Sequence, residues 1–332
     1  MELEVKHSGI SNSGNQCYFN SMMQALASCP SIFDIIKTRQ SIDDKVLSVI
    51  RKYNLLEIEL EELRAKTIFY TADNPDQVET EILHKIASNP IDLYIFMDWR
   101  NIMKGLINRK NAATLNIENL VLMLRTKVNV QAFRDLFSGA QCDPHEALVF
   151  LLELVHRFCS KPVPEPYQEH IIPWIPSDIP DLPSEIKEQY NAYFQREYST
   201  KYSEFVQHFH NTYLSTVKCN SCNHAVYNIS PMGVIDIPLT RDGTRCVNLV
   251  ESIARFFSTE PVENYKCDKC NSINTSTISK NLLTNAKTLI IEFKRFIQIG
   301  DKIAKHNVPV VFPPIFDITG CLVDKRKPAR YL

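Results

Sequence analysis

The sequence of 332 residues has little glycine, no long hydrophobic run and no excess of either charge. Its eight glycines favour long helices over a turn-rich all-β chain. No apolar run approaches the roughly 20 residues that a membrane-spanning helix needs, and residues 1–15 lack the apolar core of a signal peptide. The 37 basic and 38 acidic side chains leave a net charge of -1, which indicates neither a nucleic-acid nor a membrane partner. We therefore expect a soluble globular protein of the cytoplasm and/or the nucleus.

The ten cysteines need an explanation other than disulfide bonding. Because nothing directs the chain to an oxidising compartment, a disulfide framework is not expected, and metal binding or catalysis is the better interpretation.

A chain of 332 residues can bury a large core, as one large domain or as two ordinary ones.

A polar loop over residues 9–16 leads into a predicted helix whose first turn contains Cys17. Apolar residues then recur at the spacing of an amphipathic helix, at Phe19, Met22, Met23 and Leu26, and Pro30 ends the pattern. The N–H groups and the positive dipole end of a first helical turn favour thiolate over thiol, which makes a cysteine nucleophilic. The loop amides and Asn12 are candidate donors to an oxyanion beside that sulfur. The alternative is that Cys17 is a small buried hydrophobic residue, as most free cysteines are.

The order Gly-Ile-x-Asn-x-Gly-Asn-x-Cys-Tyr-x-Asn-Ser over residues 9–21 resembles the cysteine box of the ubiquitin-specific proteases, a family of papain-like deubiquitinases. The resemblance implies that Cys17 is the nucleophile and Asn12 the oxyanion donor. It also implies that the partners are ubiquitin and ubiquitinated proteins. The implied reaction is thiol-dependent hydrolysis of the peptide or isopeptide bond after the C-terminal glycine of ubiquitin.

A second motif, over residues 141–146, has a local structural explanation. Asp143 is a good N-cap, Pro144 suits the first helical position, and Glu146 stands where a capping box places its acid. The same residues are similar to the Gln-x-Asp-x-His-Glu box of the ubiquitin-specific proteases, whose acidic pair faces the basic C-terminal tail of ubiquitin. Since capping uses one carboxylate oxygen, both interpretations of Asp143 and Glu146 can hold together. His145 is interpreted as structural and not as a catalytic base.

Two Cys-x-x-Cys pairs occur late in the chain, at Cys219 and Cys222 and at Cys267 and Cys270. Each pair can present two thiolates from one tight turn, and two such turns complete a tetrahedral zinc site. A thiol–disulfide redox motif is the alternative, but it calls for a single pair near a βαβ unit. With four sulfur ligands no position stays open for water, so we expect structural Zn2+. The spacing resembles the zinc ribbon in the fingers of many ubiquitin-specific proteases.

The family resemblance implies an α+β fold, that of a papain-like cysteine protease. Four successive segments are expected: a helical thumb over 1–160 with an insertion in 40–110, a proline-rich linker and helix over 161–204, zinc-ribbon fingers over 205–285, and an incomplete antiparallel-sheet palm over 286–332. Val46–Arg64 shows the clearest helical periodicity. Residues 184–210 are predicted to be one helix, and Thr288–Phe296 a buried strand.

One family landmark has no counterpart in these residues. A cysteine protease needs a base that takes the thiol proton, and in this family a late histidine in a Gly-His-Tyr setting does so. None of the nine histidines stands in that setting, and His306, the nearest in sequence, precedes the expected palm strand. We therefore expect a C-terminally incomplete catalytic domain, with a catalytically inactive ubiquitin-binding or scaffold protein as the alternative. A zinc-ribbon nucleic-acid binder fits poorly because the charge is balanced.

Overall fold

The structure is a computed structural model, and it describes residues 8–38, 40–53, 77–88, 90–108, 114–127, 135–161, 163, 179, 182–239, 246–299, 302–326 and 328–331. Most of the periodic segment predicted over Val46–Arg64 lies outside these residues. The chain divides into two compact units, Met1–Ser160 and Lys161–Leu332. The division into thumb, linker, fingers and palm stays a prediction. No helix in the described part of the chain is long and apolar enough to cross a lipid bilayer.

The first unit is mainly helical. Its described helices are α1 (Cys17–Ser28), α2 (Pro30–Thr38), α3 (Gln40–Lys52), α4 (Gln77–Ser88), α5 (Pro90–Asn108), α6 (Glu118–Lys127) and α7 (Pro144–Cys159). In α1 the predicted apolar stripe is buried, and the helix ends before Pro30, which begins α2. The helices α1, α6 and α7 all pack against α5.

The central helix α5 is strongly apolar because several helices cover it. The sequence Tyr94–Trp99 lies within it, and most of these side chains are buried. One carboxylate is buried here as well: Asp92 lies 2.8 Å from Lys127 Nζ and 3.1 Å from Arg157 Nη2. Because a buried charge is tolerated only when it is paired, these two cations explain how an acid fits inside the helical packing.

A short parallel strand pair joins two distant segments of the first unit. Strand β1 (Gly9–Ile10) pairs with β2 (Thr114–Leu115). A Cβ atom built on Gly105 of α5 would lie only 2.9 Å from Leu115 Cδ1, so glycine lets α5 approach β2 closely. The loop that leads to Cys17 therefore begins at a strand that α5 supports.

The second unit combines helices with mostly antiparallel strands. Its described helices are α8 (Ser184–Tyr198), α9 (Glu204–Phe209) and α10 (Leu249–Phe256). Its described strands are β3 (Asn211–Lys218), β4 (Ala225–Met232), β5 (Ile235–Pro238), β6 (Val247–Asn248), β7 (Glu260–Lys266), β8 (Ile273–Thr284), β9 (Ile291–Lys294), β10 (Phe296–Ile299), β11 (Lys302–Lys305), β12 (Val310–Val311), β13 (Phe316–Asp317) and β14 (Arg330–Tyr331). Four of them form one antiparallel sheet in the order β4-β3-β8-β7.

The remaining strands of the second unit form two-stranded pairs. Pairs β5–β9 and β6–β12 are parallel, whereas β10–β11 and β13–β14 are antiparallel. In the four-stranded sheet, β3 is mostly buried near Asn211 and becomes exposed towards Lys218. The Lys218 end of the sheet, which leads to the Cys-x-x-Cys turns, therefore has little apolar core of its own to stabilise it.

Two of the predicted elements differ from the structure. Residues 184–210 form two helices instead of one, and the side chain of Ser203 caps the second through Phe205 N at 3.3 Å. The buried strand predicted over Thr288–Phe296 is wrong in part, because β9 covers only Ile291–Lys294 and the side chain of Phe296 is 65% exposed. Among the described residues β9 pairs with β5 alone, so neighbouring strands cover it less than they cover a strand in the middle of a larger sheet.

Candidate active site and metal centre

Cys17 is the first residue of α1, and its side chain is exposed. The alternative interpretation, a buried hydrophobic cysteine, is therefore wrong. The preceding residue Gln16 is the N-cap of α1 and makes no side-chain capping hydrogen bond. Without a side-chain cap, the N–H groups of the first turn face the space near the sulfur with the positive end of the helix dipole. This environment favours a negative charge that develops on a group bound beside the sulfur.

Asn12 is fixed by a tight turn immediately before the candidate nucleophile. Its Oδ1 atom accepts hydrogen bonds from Gly14 N at 3.4 Å and from Gln16 N at 3.2 Å. Gly14 has a φ of 125° and Asn15 a φ of 42°, values in the region that glycine and asparagine tolerate. An amide oxygen only accepts, so Nδ2 is the group of Asn12 that can donate to an oxyanion, and the bonds to Oδ1 fix its orientation.

The loop before Cys17 is also anchored to residues 114–118, which sequence analysis did not single out. Ser11 donates to Leu115 O from its backbone N at 2.9 Å and from its Oγ at 3.2 Å. The hydroxyl of Ser13 donates to Glu118 Oε1. The hydrogen bonds from Ser13 and Asn116 lower the pKa of Glu118, so this acid is held as a carboxylate that accepts from the loop. The polar composition of the loop was the only sequence signal for these contacts.

A second set of anchors ties the same loop and the first turn of α1 to the segment before the acidic motif. Asn15 Nδ2 donates to Gly139 O at 2.9 Å, and Phe137 N donates to Tyr18 Oη at 3.2 Å. Cys142, which follows, is half-buried, and burial raises the pKa of its thiol. Cys142 therefore stays protonated and is a poor nucleophile. The structure thus brings the cysteine motif and the acidic motif together within the first unit.

The acidic motif starts a helix, as its local pattern predicts. Asp143 is the N-cap of α7, its Oδ1 accepts from His145 N at 2.8 Å, and Pro144 occupies the first helical position. Glu146 lies in the first turn. Asp143 and Glu146 are both exposed. The capping interpretation of Asp143 is therefore confirmed, and one oxygen of its carboxylate stays available for another contact.

The histidine nearest in sequence to the missing family setting, His306, lies in the second unit. His306 follows β11, and its backbone N donates to Arg295 O at 2.7 Å. Arg295 Nη1 donates back to His306 O at 3.1 Å. These contacts hold the backbone of His306 and leave its ring without an assigned role. The described residues of the first unit thus provide a candidate nucleophile and a candidate oxyanion donor, but no histidine ring bonded to Cys17.

The four cysteines of the two Cys-x-x-Cys pairs form one cluster. Their sulfur atoms all lie within 4.8 Å of one another. Cys219 Sγ is 3.8 Å from Cys270 Sγ, and Cys222 Sγ is 3.7 Å from Cys267 Sγ, so none of these pairs is a disulfide. Four sulfurs at about 2.3 Å from a tetrahedral zinc ion would be about 3.8 Å apart. The cluster therefore has the donor type and the spacing of a metal site, and His224 is not part of it.

The two cysteine turns share one backbone geometry. In the first, Asn223 N donates to Cys219 O at 2.9 Å, and in the second, Asn271 N donates to Cys267 O at 2.8 Å. The two asparagines have φ values of 58° and 56°, in the left-handed region that asparagine tolerates. Both turns thus present their cysteine pairs with the same backbone geometry.

Comparison with solved structures identifies the fold. The chain aligns with a structure entitled "Structure of the SAGA Ubp8/Sgf11/Sus1/Sgf73 DUB module bound to ubiquitin aldehyde" with a TM-score of 0.59 and 17% identity, covering 97% of this chain and 55% of that chain. A second structure of a SAGA DUB module, bound to monoubiquitin, gives a TM-score of 0.59 and 16% identity and covers 100% of this chain and 57% of that one. The expected α+β, papain-like cysteine protease fold is confirmed.

The family model described as ubiquitin carboxyl-terminal hydrolase matches residues 8–331, so the chain belongs to that family. Ubiquitin carboxyl-terminal hydrolase 4 of Candida glabrata is 24% identical over 315 residues, which are 94% of this chain and 31% of that protein. Ubiquitin carboxyl-terminal hydrolase 36 of Drosophila ananassae is 23% identical over 316 residues, which are 94% of this chain and 22% of that protein. The chain thus spans less than a third of the length of these curated relatives.

Proposed function

We propose that this chain is a deubiquitinase domain that hydrolyses the peptide or isopeptide bond after the C-terminal glycine of ubiquitin. The observation that carries the proposal is an exposed Cys17 at the first position of α1, directly after a loop that Asn12 holds in a tight turn. Membership of the ubiquitin carboxyl-terminal hydrolase family supports the substrate class. Ubiquitin and ubiquitinated proteins are accordingly the proposed partners, in the cytoplasm and/or the nucleus.

In the proposed reaction the sulfur of Cys17 attacks the carbonyl carbon of the terminal glycine, the bond from that carbon to nitrogen breaks, and the amine leaves with the thiol proton, so that a thioester remains. Negative charge develops on the carbonyl oxygen, and Asn12 Nδ2 is the proposed donor to it. Water then hydrolyses the thioester, which releases the ubiquitin carboxylate and restores the thiol. The turn around Asn12 supports this role because it holds the amide before substrate arrives.

Asp143 and Glu146 are proposed to contact the basic C-terminal tail of ubiquitin. Both carboxylates are exposed, Asp143 at the N-cap of α7 and Glu146 in its first turn. The bond from Asn15 to Gly139 ties the segment before them to the cysteine loop, which supports a shared substrate path. Capping by Asp143 is compatible with this role because it uses one oxygen.

We assign Zn2+ to the four-cysteine cluster, held by Cys219, Cys222, Cys267 and Cys270. The sulfur spacing and the all-thiolate donor set fit this ion. Bound there, zinc would stabilise the exposed end of the four-stranded sheet by joining the turn after β3 to the turn after β7. Four sulfur ligands leave no position for water, so its role would be structural.

A second candidate function is ubiquitin binding without hydrolysis. The observation that favours it is that none of the nine histidines stands in the Gly-His-Tyr setting of the family base. Loss of a general base typically costs on the order of 10²- to 10⁴-fold in rate. Such a chain would keep its ubiquitin contacts and act as a scaffold.

Turnover of a fluorogenic conjugate at the C-terminus of ubiquitin, measured beside ubiquitin affinity, separates the two functions. We expect turnover that Cys17→Ala abolishes while ubiquitin binding persists. Cys246→Ala is the matched control because this cysteine is also exposed but lies in the second unit. Turnover that survives in Cys17→Ala would contradict the nucleophile assignment. Ubiquitin binding without any turnover would favour the scaffold function, and no ubiquitin binding would contradict both.

A further inference from the structure

We propose that Asn274 is a positioning residue of the metal centre, which donates a hydrogen bond to the Cys219 thiolate and thereby slows loss of the ion. Asn274 lies near the start of β8, behind the second cysteine turn. The proposal rests on the proposed function only in taking the four-cysteine cluster to be a zinc site.

The side chain of Asn274 is oriented by a buried neighbour. Ser276 Oγ donates to Asn274 Oδ1 at 2.7 Å, and Ser276 is fully buried. With its oxygen occupied, the amide directs its nitrogen to the cluster, where Nδ2 lies 3.5 Å from Cys219 Sγ. Ser276 therefore acts on the cluster through Asn274, since its own hydroxyl bonds to the amide.

The same amide nitrogen contacts both cysteine turns. Its two N–H protons are shared among three acceptors, Cys219 Sγ, Ser221 Oγ at 2.5 Å in the first turn and Ser272 Oγ at 3.0 Å in the second. Ser272 Oγ in turn lies 2.9 Å from Cys270 Sγ. One neutral side chain thus links the two turns whose separation determines the size of the metal site.

The charge of the site explains why such donors matter. Four thiolates and one divalent cation leave a net double negative charge, which N–H and O–H donors stabilise. Cys219 is fully buried, so water does not solvate its sulfur, whereas Cys270 is exposed. The bond from Asn274 to Cys219 is consequently harder to replace by water than the contact between Ser272 and Cys270.

The test measures zinc release from the full chain. Zinc-loaded protein is mixed with an excess of a coloured zinc chelator, and the rate of transfer is recorded for wild type, Asn274→Leu, Ser276→Ala and the double variant. Partners in the outer shell of metal sites typically account for about 10- to 100-fold in metal affinity, so Asn274→Leu should release zinc at least about ten times faster. Ser276→Ala should give a smaller increase. The double variant should resemble Asn274→Leu alone, because Ser276 acts through Asn274.

Two controls separate positioning from general damage to the sheet. Asn228→Leu, at an exposed position of β4 in the same four-stranded sheet, should release zinc at the wild-type rate. In protein loaded with Co2+ instead of zinc, Asn274→Leu should shift the thiolate-to-cobalt absorption band to lower energy. The shift is expected because the sulfur keeps more electron density once its hydrogen bond is lost. Asn228→Leu should leave this band unchanged.

The outcomes distinguish this inference from the zinc proposal. If the wild-type chain takes up no zinc, the assignment of the metal fails and the inference fails with it. If the wild type binds zinc but Asn274→Leu matches Asn228→Leu in release rate and cobalt spectrum, only the role of Asn274 is overturned. If Asn274→Leu does not fold, the zinc-release rate of Ser276→Ala is the test. A rate equal to that of the wild type in Ser276→Ala would then contradict the proposal.

Discussion

Asn15 donates a hydrogen bond from its side-chain amide to the carbonyl oxygen of Gly139 at 2.9 Å, and this bond joins the loop before Cys17 to the loop before Asp143. Asn15 has a φ of 42° and Gly139 a φ of 100°. Asparagine and glycine both tolerate a positive φ, so the two residues fit the backbone conformation at their positions as well as forming the bond. The cysteine motif and the acidic motif, which are far apart in sequence, are held together at this point.

Asn15→Gly tests the contribution of that bond. Glycine keeps the positive φ without strain but has no side chain to donate. Since one hydrogen bond contributes about 0.5 to 1.5 kcal/mol, we expect kcat/KM for a ubiquitin conjugate to fall about two- to ten-fold. In Asn15→Ala we expect a larger decrease in kcat/KM and a lower melting temperature, because alanine disfavours a positive φ. An unchanged kcat/KM in Asn15→Gly would show that the bond does not position the loop for turnover.

Asp143→Asn separates helix capping from substrate contact. Asparagine caps helices as well as aspartate, so the free energy of unfolding should change by less than about 0.5 kcal/mol. Loss of the negative charge should raise KM for ubiquitin conjugates. Asp143→Ala removes the cap as well and should cost about 1 kcal/mol of stability. If Asp143→Asn keeps the wild-type KM, the residue serves only as the N-cap of α7.

What could be predicted from sequence was local. The start of α7 at Asp143 follows from one capping residue and one proline, and the buried face of α1 from the spacing of apolar residues around Phe19. The four-cysteine cluster follows from two short turns with matching residues. The two helical features, and each cysteine turn taken singly, depend on residues within a few positions of one another, so the sequence displays them directly.

What could not be predicted depends on distant partners. The bond from Ser13 to Glu118 and that from Asn274 to Cys219 join side chains many residues apart, and no spacing rule encodes them. The failure at Thr288–Phe296 has a related cause. An apolar run indicates a strand, but its burial depends on how many neighbours the sheet gives it, and β9 pairs with β5 alone.

The buried carboxylate of Asp92 should contribute strongly to the stability of the first unit. Asp92→Asn keeps the shape but leaves Lys127 and Arg157 without their anion. Removing one partner of a buried pair costs 3 to 5 kcal/mol, and the partial exposure of both cations lowers our expectation to about 2 to 3 kcal/mol. Urea unfolding with an unchanged m-value measures this loss. Arg157→Leu should cost less, because that side chain is 46% exposed. Equal urea midpoints for Asp92→Asn and wild type would contradict the prediction.

His210 should make the second unit less stable in mild acid. Its Nδ1 lies 3.2 Å from Tyr198 Oη, and burial lowers the pKa of His210 below its usual 6.5. Burial also raises the pKa of Tyr198, which stays protonated throughout this range. As pH falls below 6.5, the unfolded chain binds a proton that the folded chain does not, so the free energy of unfolding decreases until the folded pKa is passed.

His210→Gln removes this titration and tests the prediction. Urea midpoints at about pH 7.5 and about pH 5.5 give the loss of stability in acid. We expect a smaller loss in His210→Gln than in wild type, because the folded and unfolded variants no longer differ in proton binding at this residue. The control is His84→Gln, which replaces an exposed histidine of the first unit and should lose as much stability in acid as the wild type does. Parallel pH profiles for His210→Gln and wild type would show that His210 is not the group whose titration lowers stability in acid.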